Sequence, residues 1–303
     1  MAQQAAKQDS PNGARPGAKG EQQGAQSSAQ QGAQAEDIWD SHFHVFGPWD
    51  RYPLPPNPSY RPAEAPFDTL RALHTRMGVT RGVIVHGANY GDDHSAMLGA
   101  LIASRGAYRG IAIIDPDIPE ATLRTMHDAG VRGIRFNVLA HLSGGAPRID
   151  AGRMRAAIAR VVPYGWHAVI HAGPDDTIAV LEALDGCGVP VVVDHMARLP
   201  ADGGLQTAAG QALLRWLASP DVWIKVSGAD RVTAGQPDRA IALMRALIAA
   251  APDRVLWGSD WPHVNIQYAT PDDGGLLDLA RQACGDAATL RALLTTNPAR
   301  LYA

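Results

Sequence analysis

One stretch of the sequence decides the fold: Asp37-Ile38-Trp39-Asp40-Ser41-His42-Phe43-His44-Val45-Phe46-Gly47. Successive side chains of a strand point to opposite faces, so His42 and His44 are predicted to point the same way, together with Asp40. Inside an apolar core each imidazole would need a polar partner. The pattern therefore indicates histidines that converge on a ligand, a metal or a reacting group. The alternative is a pair of histidines that merely end a strand.

Seven further short apolar runs follow, and each has the length of a strand. They are Gly82–His86, Gly110–Ile114, Gly133–Asn137, His167–His171, Pro190–His195, Val222–Val226 and Val255–Asp260. Between them lie segments with the periodicity of amphipathic helices, among them Asp68–Met77, Pro119–Ala129, Ala151–Val161, Thr177–Leu184, Leu213–Ala218 and Ala240–Ala250. Apolar strands that alternate with helices predict a parallel sheet covered on both faces.

The number of these units selects the architecture. Eight strands in 303 residues fit a single (β/α)8 TIM barrel, which uses about 250 residues, better than an open doubly wound sheet. No Gly-x-Gly-x-x-Gly turn follows a strand, which argues against a dinucleotide-binding fold. The barrel is predicted over residues 37–303. Residues 1–36 contain no Leu, Ile, Val or aromatic residue and are predicted to form a disordered tail.

Composition restricts the partners. A formal net charge of −3 and a pI near 6.4 argue against nucleic acid and against an anionic membrane surface, both of which require a basic footprint. A small molecule is the expected partner, and a homo-oligomer is compatible with the sequence. Cys187 and Cys284 are too few for a disulfide framework, so a reducing, cytoplasmic compartment is predicted.

Polar residues recur where the predicted strands end. In barrel enzymes the active site lies at the C-terminal ends of the strands. Asp115 and Ser227 are expected to cap helices, and His74, His94 and His127 are expected to be ordinary surface residues. Histidine and arginine are poor caps, so the others indicate a site. These are His42, His44, His86, Arg135, Asn137, His171, Asp194, His195 and Asp260.

Four of these residues suffice for hydrolysis. Asp260 can accept a proton from water while His42, His44 and His195 polarise the carbonyl group under attack. The imidazoles could do this directly, or by holding a divalent metal that does so. A carboxylate beside such positive charge stays ionised near neutral pH.

At this point the sequence resembles a known family. The motifs are Asp40-Ser41-His42-Phe43-His44-Val45-Phe46-Gly47-Pro48 with Arg51-Tyr52-Pro53 and Tyr60 downstream, Arg132-Gly133-Ile134-Arg135-Phe136-Asn137, Val193-Asp194-His195-Met196, Leu256-Trp257-Gly258-Ser259-Asp260-Trp261-Pro262-His263 and Asn297-Pro298-Ala299-Arg300-Leu301-Tyr302. They resemble the amidohydrolase superfamily, in its branch of 2-pyrone-4,6-dicarboxylate lactonases and related lactone hydrolases.

The resemblance implies roles for individual residues. Asp260 is similar to the family's general base, and His42, His44 and His195 to the group that activates the substrate carbonyl, in a branch that works without a bound metal. Other residues resemble substrate-binding positions, namely Arg135, Arg231, Tyr60, His86, His141 and His171.

The arginines suit a carboxylated substrate. A guanidinium offers a carboxylate a planar fork, although Arg231 could equally be a solvated loop charge. After Phe136-Asn137 the dicarboxylate lactonases tend to carry a further basic residue, where this chain offers only His141, a weaker and pH-dependent cation. This departure favours a lactone or related cyclic ester over the pyrone dicarboxylate itself.

His171 raises the question of a metal. In other branches of the superfamily a histidine that ends the fifth strand is a ligand, and His42, His44, His171 and Asp260 would make a zinc site with three nitrogens and one oxygen. The alternative is a substrate-facing His171, as in the metal-free relatives. His86 is expected to face the substrate.

Three hypotheses follow. The first is a hydrolase that opens a carboxylated lactone, either 2-pyrone-4,6-dicarboxylate-like or derived from a sugar acid, in the breakdown of aromatic or sugar acids and with no required cofactor. The second is a zinc-dependent hydrolase or decarboxylase of the same superfamily that acts on another small carboxylated substrate. The third is a catalytically silent barrel that only binds, which predicts a broken constellation. Because His42, His44, His195 and Asp260 are all present, the third hypothesis is disfavoured.

Overall fold

Eight parallel strands pair in sequence order in a computed structural model that describes residues 36–139 and 149–303. They are β1 (Trp39–Phe43), β2 (Arg81–Val85), β3 (Tyr108–Ala112), β4 (Val131–Asn137), β5 (His167–His171), β6 (Val191–Val193), β7 (Val222–Lys225) and β8 (Val255–Leu256). The barrel unit comprises residues 37–303. The predicted disordered tail, apart from Glu36, and the predicted substrate-binding residue His141 lie outside the described residues.

Backbone hydrogen bonds join the chain after β8 to β1. Ser41 N donates to Trp257 O over 2.8 Å, and Asp260 N donates to His42 O over 2.8 Å. The sheet therefore curves back on itself into a nearly closed barrel, which confirms the predicted (β/α)8 TIM architecture.

A helix follows each strand. The first eight are α1 (Phe67–Met77), α2 (Ser95–Ala103), α3 (Glu120–Ala129), α4 (Ala151–Val161), α5 (Pro174–Leu184), α6 (Ala208–Trp216), α7 (Ile241–Ala250) and α8 (Asp273–Cys284). The chain closes with α9 (Ala287–Arg291), one π-helical turn (Ala292–Thr296) and α10 (Asn297–Tyr302). In the part of the chain that the structure describes, no helix combines the length and apolarity needed to cross a membrane.

Helix boundaries follow local chemistry. The Asp150 side chain accepts a hydrogen bond from Arg153 N at the start of α4, and Thr207 caps α6 in the same way. Gly78 ends α1 with a left-handed backbone (φ 73°), which glycine adopts without the steric cost of a Cβ atom.

The described residues form three apolar clusters, and one of them fills the interior of the barrel. The interior layer comprises Trp39, Val83, Val85, Ile111, Val169, Val192, Trp223, Leu256 and Tyr302. Side chains two positions apart on a strand share a face, so the residues two positions later lie directly above this layer. The polar residues that follow in this way are His171 after Val169, Asp194 after Val192 and Lys225 after Trp223.

Candidate active site

Asp260 lies at the centre of a group of buried polar side chains at the C-terminal ends of the strands. Its Oδ1 is 3.7 Å from Nε2 of His42, 3.8 Å from Nε2 of His44 and 3.9 Å from Nε2 of His195. Its Oδ2 accepts a hydrogen bond from Nε of Arg231. The four residues predicted to be catalytic are therefore brought together, and one carboxylate oxygen faces all three imidazoles.

Each imidazole is held through its other nitrogen. His42 Nδ1 lies 3.2 Å from Asp194 Oδ1, and His195 Nδ1 lies 2.9 Å from Ser227 Oγ. His44 Nδ1 lies 2.8 Å from the carbonyl oxygen of Val85. These contacts fix the ring planes and direct the three Nε2 atoms toward Asp260.

The contact to Val85 also determines where the proton of His44 resides. A carbonyl oxygen only accepts hydrogen bonds, so Nδ1 of His44 must carry the hydrogen. The neutral ring then presents a lone pair at Nε2. Burial, and after it the neighbouring His42, lower the pKa of His44 to about 3, so the ring is neutral at physiological pH.

Asp194 is a second buried carboxylate of this group. Its Oδ2 accepts a hydrogen bond from Arg135 Nε over 2.9 Å, and its Oδ1 lies 3.1 Å from Lys225 Nζ. Lys225 is 0 % exposed and also lies 3.2 Å from His42 Nδ1. This contact network links the predicted carboxylate binder Arg135 to the predicted catalytic residue His42 through one shared anion.

Both carboxylates stay ionised. Burial alone would raise the pKa of Asp260, but the Arg231 guanidinium and the surrounding histidines hold it well below its usual value. Burial likewise opposes ionisation of Asp194, whereas Lys225 and other neighbours that carry positive charge keep its pKa well below the usual range.

Asp40 supports the site from the helix side. Its Oδ1 accepts hydrogen bonds from the backbone nitrogens of His42 (3.1 Å) and Ser259 (2.9 Å), and its Oδ2 lies 3.3 Å from His74 Nε2. The pairing register of β1 shifts between Asp40 and Phe43, which separates Asp40 from the face that carries the histidines. The prediction that Asp40 points with His42 and His44 was therefore wrong.

Several residues have a position or contact other than the one predicted from the sequence. His74 and His94 are buried and hydrogen-bonded, so the prediction of surface residues was wrong for both. Ser227 caps no helix, since its hydroxyl contacts His195. Asp115 accepts a hydrogen bond from Asp117 N in a turn and does not cap α3.

A left-handed turn presents His195 to the site. His195, Met196, Ala197 and Arg198 have consecutive φ values of 49°, 54°, 54° and 53°. Each such residue costs about 1–2 kcal/mol for a side chain with a Cβ atom. The turn directs His195 toward Asp260 and brings Arg198 into the same cavity.

Four of the predicted substrate-binding residues line a cavity of about 100 Å³ together with Asp260. They are Tyr60, Arg135, His171 and Arg231. The other lining residues are His44, Ala88, His195, Arg198, Asp260, Val264 and Asn265. His86 is not among them, because its Nε2 lies 2.8 Å from Gly91 O and its ring packs on His94 at a centroid distance of 4.3 Å. Its substrate-facing role stays a prediction.

Two residues of this group were not predicted from the sequence. Lys225 had a signal, because it is the one charge inside the apolar run Val222–Val226. Asp194 was predicted to lie at the site, because it ends an apolar strand beside His195, but its contact with His42 was not. Arg198 had none, since nothing in the sequence marks a left-handed turn at Met196 and Ala197.

The site contains atoms that suit a divalent metal. Nε2 of His42, Nε2 of His44 and Oδ1 of Asp260 all lie within 4.8 Å of one another. His42 Nε2 is buried without a hydrogen-bond partner among the described residues. Imidazoles that are fixed through their second nitrogen are typical of metal ligands, so these donors fit zinc. His171 is outside this group, and its Nδ1 lies 3.1 Å from Asn137 Oδ1.

Comparison with known proteins gives one consistent family. A family model described as "Amidohydrolase" matches residues 39–303. The chain is 35% identical over 274 residues to a 2-pyrone-4,6-dicarboxylate hydrolase of Comamonas testosteroni, which covers 87% of this chain and 89% of that protein. It is also 35% identical over 271 residues to a 4-sulfomuconolactone hydrolase of Rhizobium radiobacter, with coverage of 87% and 89%. A crystal structure from Pseudomonas putida, described as a candidate 2-pyrone-4,6-dicarboxylic acid hydrolase, superposes with a TM-score of 0.78 at 30% identity and covers 89% of this chain and 98% of that one.

Proposed function

This chain belongs to the amidohydrolase family and is a hydrolase, and on that premise we propose that it opens a carboxylated lactone. The observation that carries the proposal is the position of Asp260, whose Oδ1 faces the three Nε2 atoms at 3.7–3.9 Å. A carboxylate base and polar groups that stabilise a carbonyl oxygen are what ester hydrolysis requires.

The first step is attack by water. Asp260 Oδ1 and the lone pair of His44 Nε2 are both acceptors, so a water molecule between them can donate one hydrogen to each. The oxygen lone pair of that water then attacks the lactone carbonyl carbon, and its proton passes to Asp260. Arg231 holds Oδ2 of Asp260 and so directs Oδ1 toward the water.

The second step is collapse of the tetrahedral intermediate. His42 and His195 donate from Nε2 to the oxyanion, and the Oγ–H of Ser227 can satisfy Nδ1 of His195 at 2.9 Å. When the carbonyl forms again, the bond between the acyl carbon and the ring oxygen breaks. The ring oxygen takes the proton from Asp260, and the ring opens to a hydroxy acid, or to an enol acid where the ring oxygen was attached to a carbon–carbon double bond.

The cations of the cavity favour an anionic substrate. Arg135 donates to Asp194, and Arg231 to Asp260. The half-buried Arg198 lines the same cavity and has no hydrogen-bonded acceptor within residues 36–139 and 149–303. A guanidinium in this setting binds a carboxylate or sulfonate strongly. The names of the two relatives likewise specify a dicarboxylate and a sulfonated lactone, which supports a substrate from the breakdown of aromatic acids.

A zinc-dependent variant of this reaction is the second candidate, favoured by the proximity of His42, His44 and Asp260. These three residues would hold the ion. A bound zinc would polarise the carbonyl group and acidify water. Arg231 would then keep Asp260 oriented, and the arginines would bind the substrate as before.

A lactone panel tests the proposal. Lactones that carry no, one or two anionic groups are assayed after chelation and again with added zinc. We expect lactones that carry at least one anionic group to be turned over much faster than neutral ones. Equal turnover of neutral lactones would refute the role of the arginines, and activity that vanishes on chelation and returns with zinc would select the second candidate.

A further inference from the structure

Lys225, Asp194 and His42 meet at the base of the site in a closed triangle of polar atoms. Lys225 Nζ lies 3.1 Å from Asp194 Oδ1 and 3.2 Å from His42 Nδ1, and the latter two atoms are 3.2 Å apart. All three side chains are 0–1 % exposed. No solvent can therefore compensate for an unfavourable arrangement of hydrogens.

Only one tautomer of His42 allows Lys225 to donate to both of its neighbours in the triangle. An ammonium group has donors and no acceptor, whereas a carboxylate has acceptors only. If His42 carried its hydrogen on Nδ1, that N–H would point to Asp194 and would face the N–H groups of Lys225 at 3.2 Å. If the hydrogen is on Nε2, then Nδ1 is an acceptor, and Lys225 can donate both to it and to Asp194.

Asp194 does not need a hydrogen from His42. Its Oδ1 accepts a hydrogen bond from Lys225 Nζ, and its Oδ2 accepts one from Arg135 Nε over 2.9 Å. The carboxylate is thus satisfied by two cations. This differs from the usual carboxylate–histidine pair, in which the carboxylate draws the hydrogen to Nδ1.

We propose that Lys225 is a positioning residue that keeps the hydrogen of His42 on Nε2. His42 then enters the site as a donor, whereas His44, whose Nδ1 donates to the Val85 carbonyl, enters it as an acceptor. The two histidines at the C-terminal end of β1 thus carry opposite tautomers. Zinc binding at Nε2 of His42 would therefore require the hydrogen to leave this nitrogen, because a ligand nitrogen must offer its lone pair.

The inference rests on the proposed function in one respect, namely that the Nε2–H group of His42 contacts the substrate carbonyl. The tautomer itself can be measured without any substrate. The first measurement uses the full chain after chelation, labelled with ¹⁵N in its histidine side chains. Long-range ¹H–¹⁵N correlation identifies the protonated nitrogen of each ring, and a His42→Gln variant assigns His42. We expect protonated Nε2 and unprotonated Nδ1. The reverse pattern would overturn the proposal without any need for a variant at Lys225.

The second measurement removes the donor. In Lys225→Met we expect the hydrogen of His42 to move to Nδ1, zinc to bind about tenfold more tightly in competition with a chromophoric chelator, and kcat to fall with little change in KM. Lys225→Gln, whose amide N–H can still donate, is the matched control and should keep the native ring pattern. A folded Lys225→Met protein with unchanged ring signals would overturn the assignment of Lys225.

The two failures are distinguishable. If the His42 ring gives the expected signals but the protein hydrolyses no lactone, the proposed function is contradicted and the inference about Lys225 stands. Full lactonase activity with Nδ1 protonated on His42 would do the opposite.

Discussion

Oδ1 of Asp260 and Nε2 of His44 face each other at 3.8 Å, and both are hydrogen-bond acceptors. His44 is fixed in this state because its Nδ1 donates to the Val85 carbonyl, and Asp260 because its pKa lies well below the usual value. Two acceptors at this distance repel unless a donor or a cation lies between them. The pair is thus suited either to hold the two hydrogens of an attacking water or to hold a metal ion.

Replacing Asp260 by asparagine tests the general base. Asparagine has nearly the same shape and tolerates the left-handed backbone of this position (φ 67°). We expect kcat to fall by about 10³-fold, as measured by lactone hydrolysis, with the circular dichroism spectrum retained. Turnover within tenfold of the native protein would refute the assignment.

Zinc binding tests which residues could hold a metal. In titrations of chelator-treated protein we expect His44→Gln to weaken zinc binding by about tenfold or more. His171→Gln should leave the dissociation constant nearly unchanged, because His171 lies outside the group formed by His42, His44 and Asp260. Equal losses in the two variants would instead support the zinc set that includes His171.

Arg198→Gln tests anion recognition. The substitution removes a charge that has no acceptor within the described part of the chain, so we expect KM for a carboxylated lactone to rise about tenfold, the value of one charged hydrogen bond. Neutral lactones should be unaffected. Arg198→Lys, which keeps the charge, and Arg76→Gln on the exposed face of α1 are controls. An equal KM increase for neutral substrates would indicate a structural effect.

Gly258→Ala tests the close approach of the chain after β8 to His42. A Cβ atom at Gly258 would lie 2.5 Å from His42 Cβ and 2.7 Å from His42 N. We expect the added methyl to displace His42, to lower kcat and to destabilise the fold by roughly 1–3 kcal/mol, as measured by urea unfolding. Gly173→Ala is the matched control, because its Cβ would meet nothing within 4 Å. Native activity in Gly258→Ala would contradict the tight packing.

The pH dependence of stability tests the buried neutral histidines. Burial lowers the pKa of His44, His86 and His167 to about 3, whereas in the unfolded chain each titrates near 6.5. Below pH 6.5 the unfolded state binds protons that the folded state does not, so stability is present above that pH and falls with acidification.

The expected loss is about 1.4 kcal/mol per histidine for each pH unit below 6.5. Urea unfolding at pH 7.5 and 5.5, at one ionic strength, should show it. In His167→Leu the loss should be smaller by the share of one histidine, about 1.4 kcal/mol per pH unit. A free energy of unfolding that does not change between the two pH values would contradict the prediction.

Sequence patterns were sufficient for the architecture and for the residues around Asp260. Eight apolar runs separated by helical periodicity leave few alternatives to a barrel, and a histidine that ends such a run has no packing role. Helices α2 and α8 were not picked out. Ser95–Ala103 is apolar on nearly every side and so shows no period, and α8 begins Asp273-Gly274-Gly275, which is typical of a turn.

Other features of the site depend on geometry that sequence periodicity does not encode. The register shift in β1 turns Asp40 away from the histidines, and strand alternation alone predicts the opposite. The hydrogen positions on His42 and His44 depend on contacts with Lys225 and Val85, which are distant in sequence. The position of Arg198 depends on the left-handed turn His195–Arg198, which contains none of the residues typical of turns.

That turn also bears on how easily the substrate range of the protein could change. Because His195 and Arg198 share one left-handed segment, a change in its backbone that alters anion recognition at one end also displaces the His195 ring at the other. In this segment, β-branched residues would add backbone strain at every position. Glycine would relieve the strain but would leave the segment less ordered. Variation in this segment is therefore strongly constrained, and new specificity would more readily arise from the walls formed by Tyr60, Ala88 and His171.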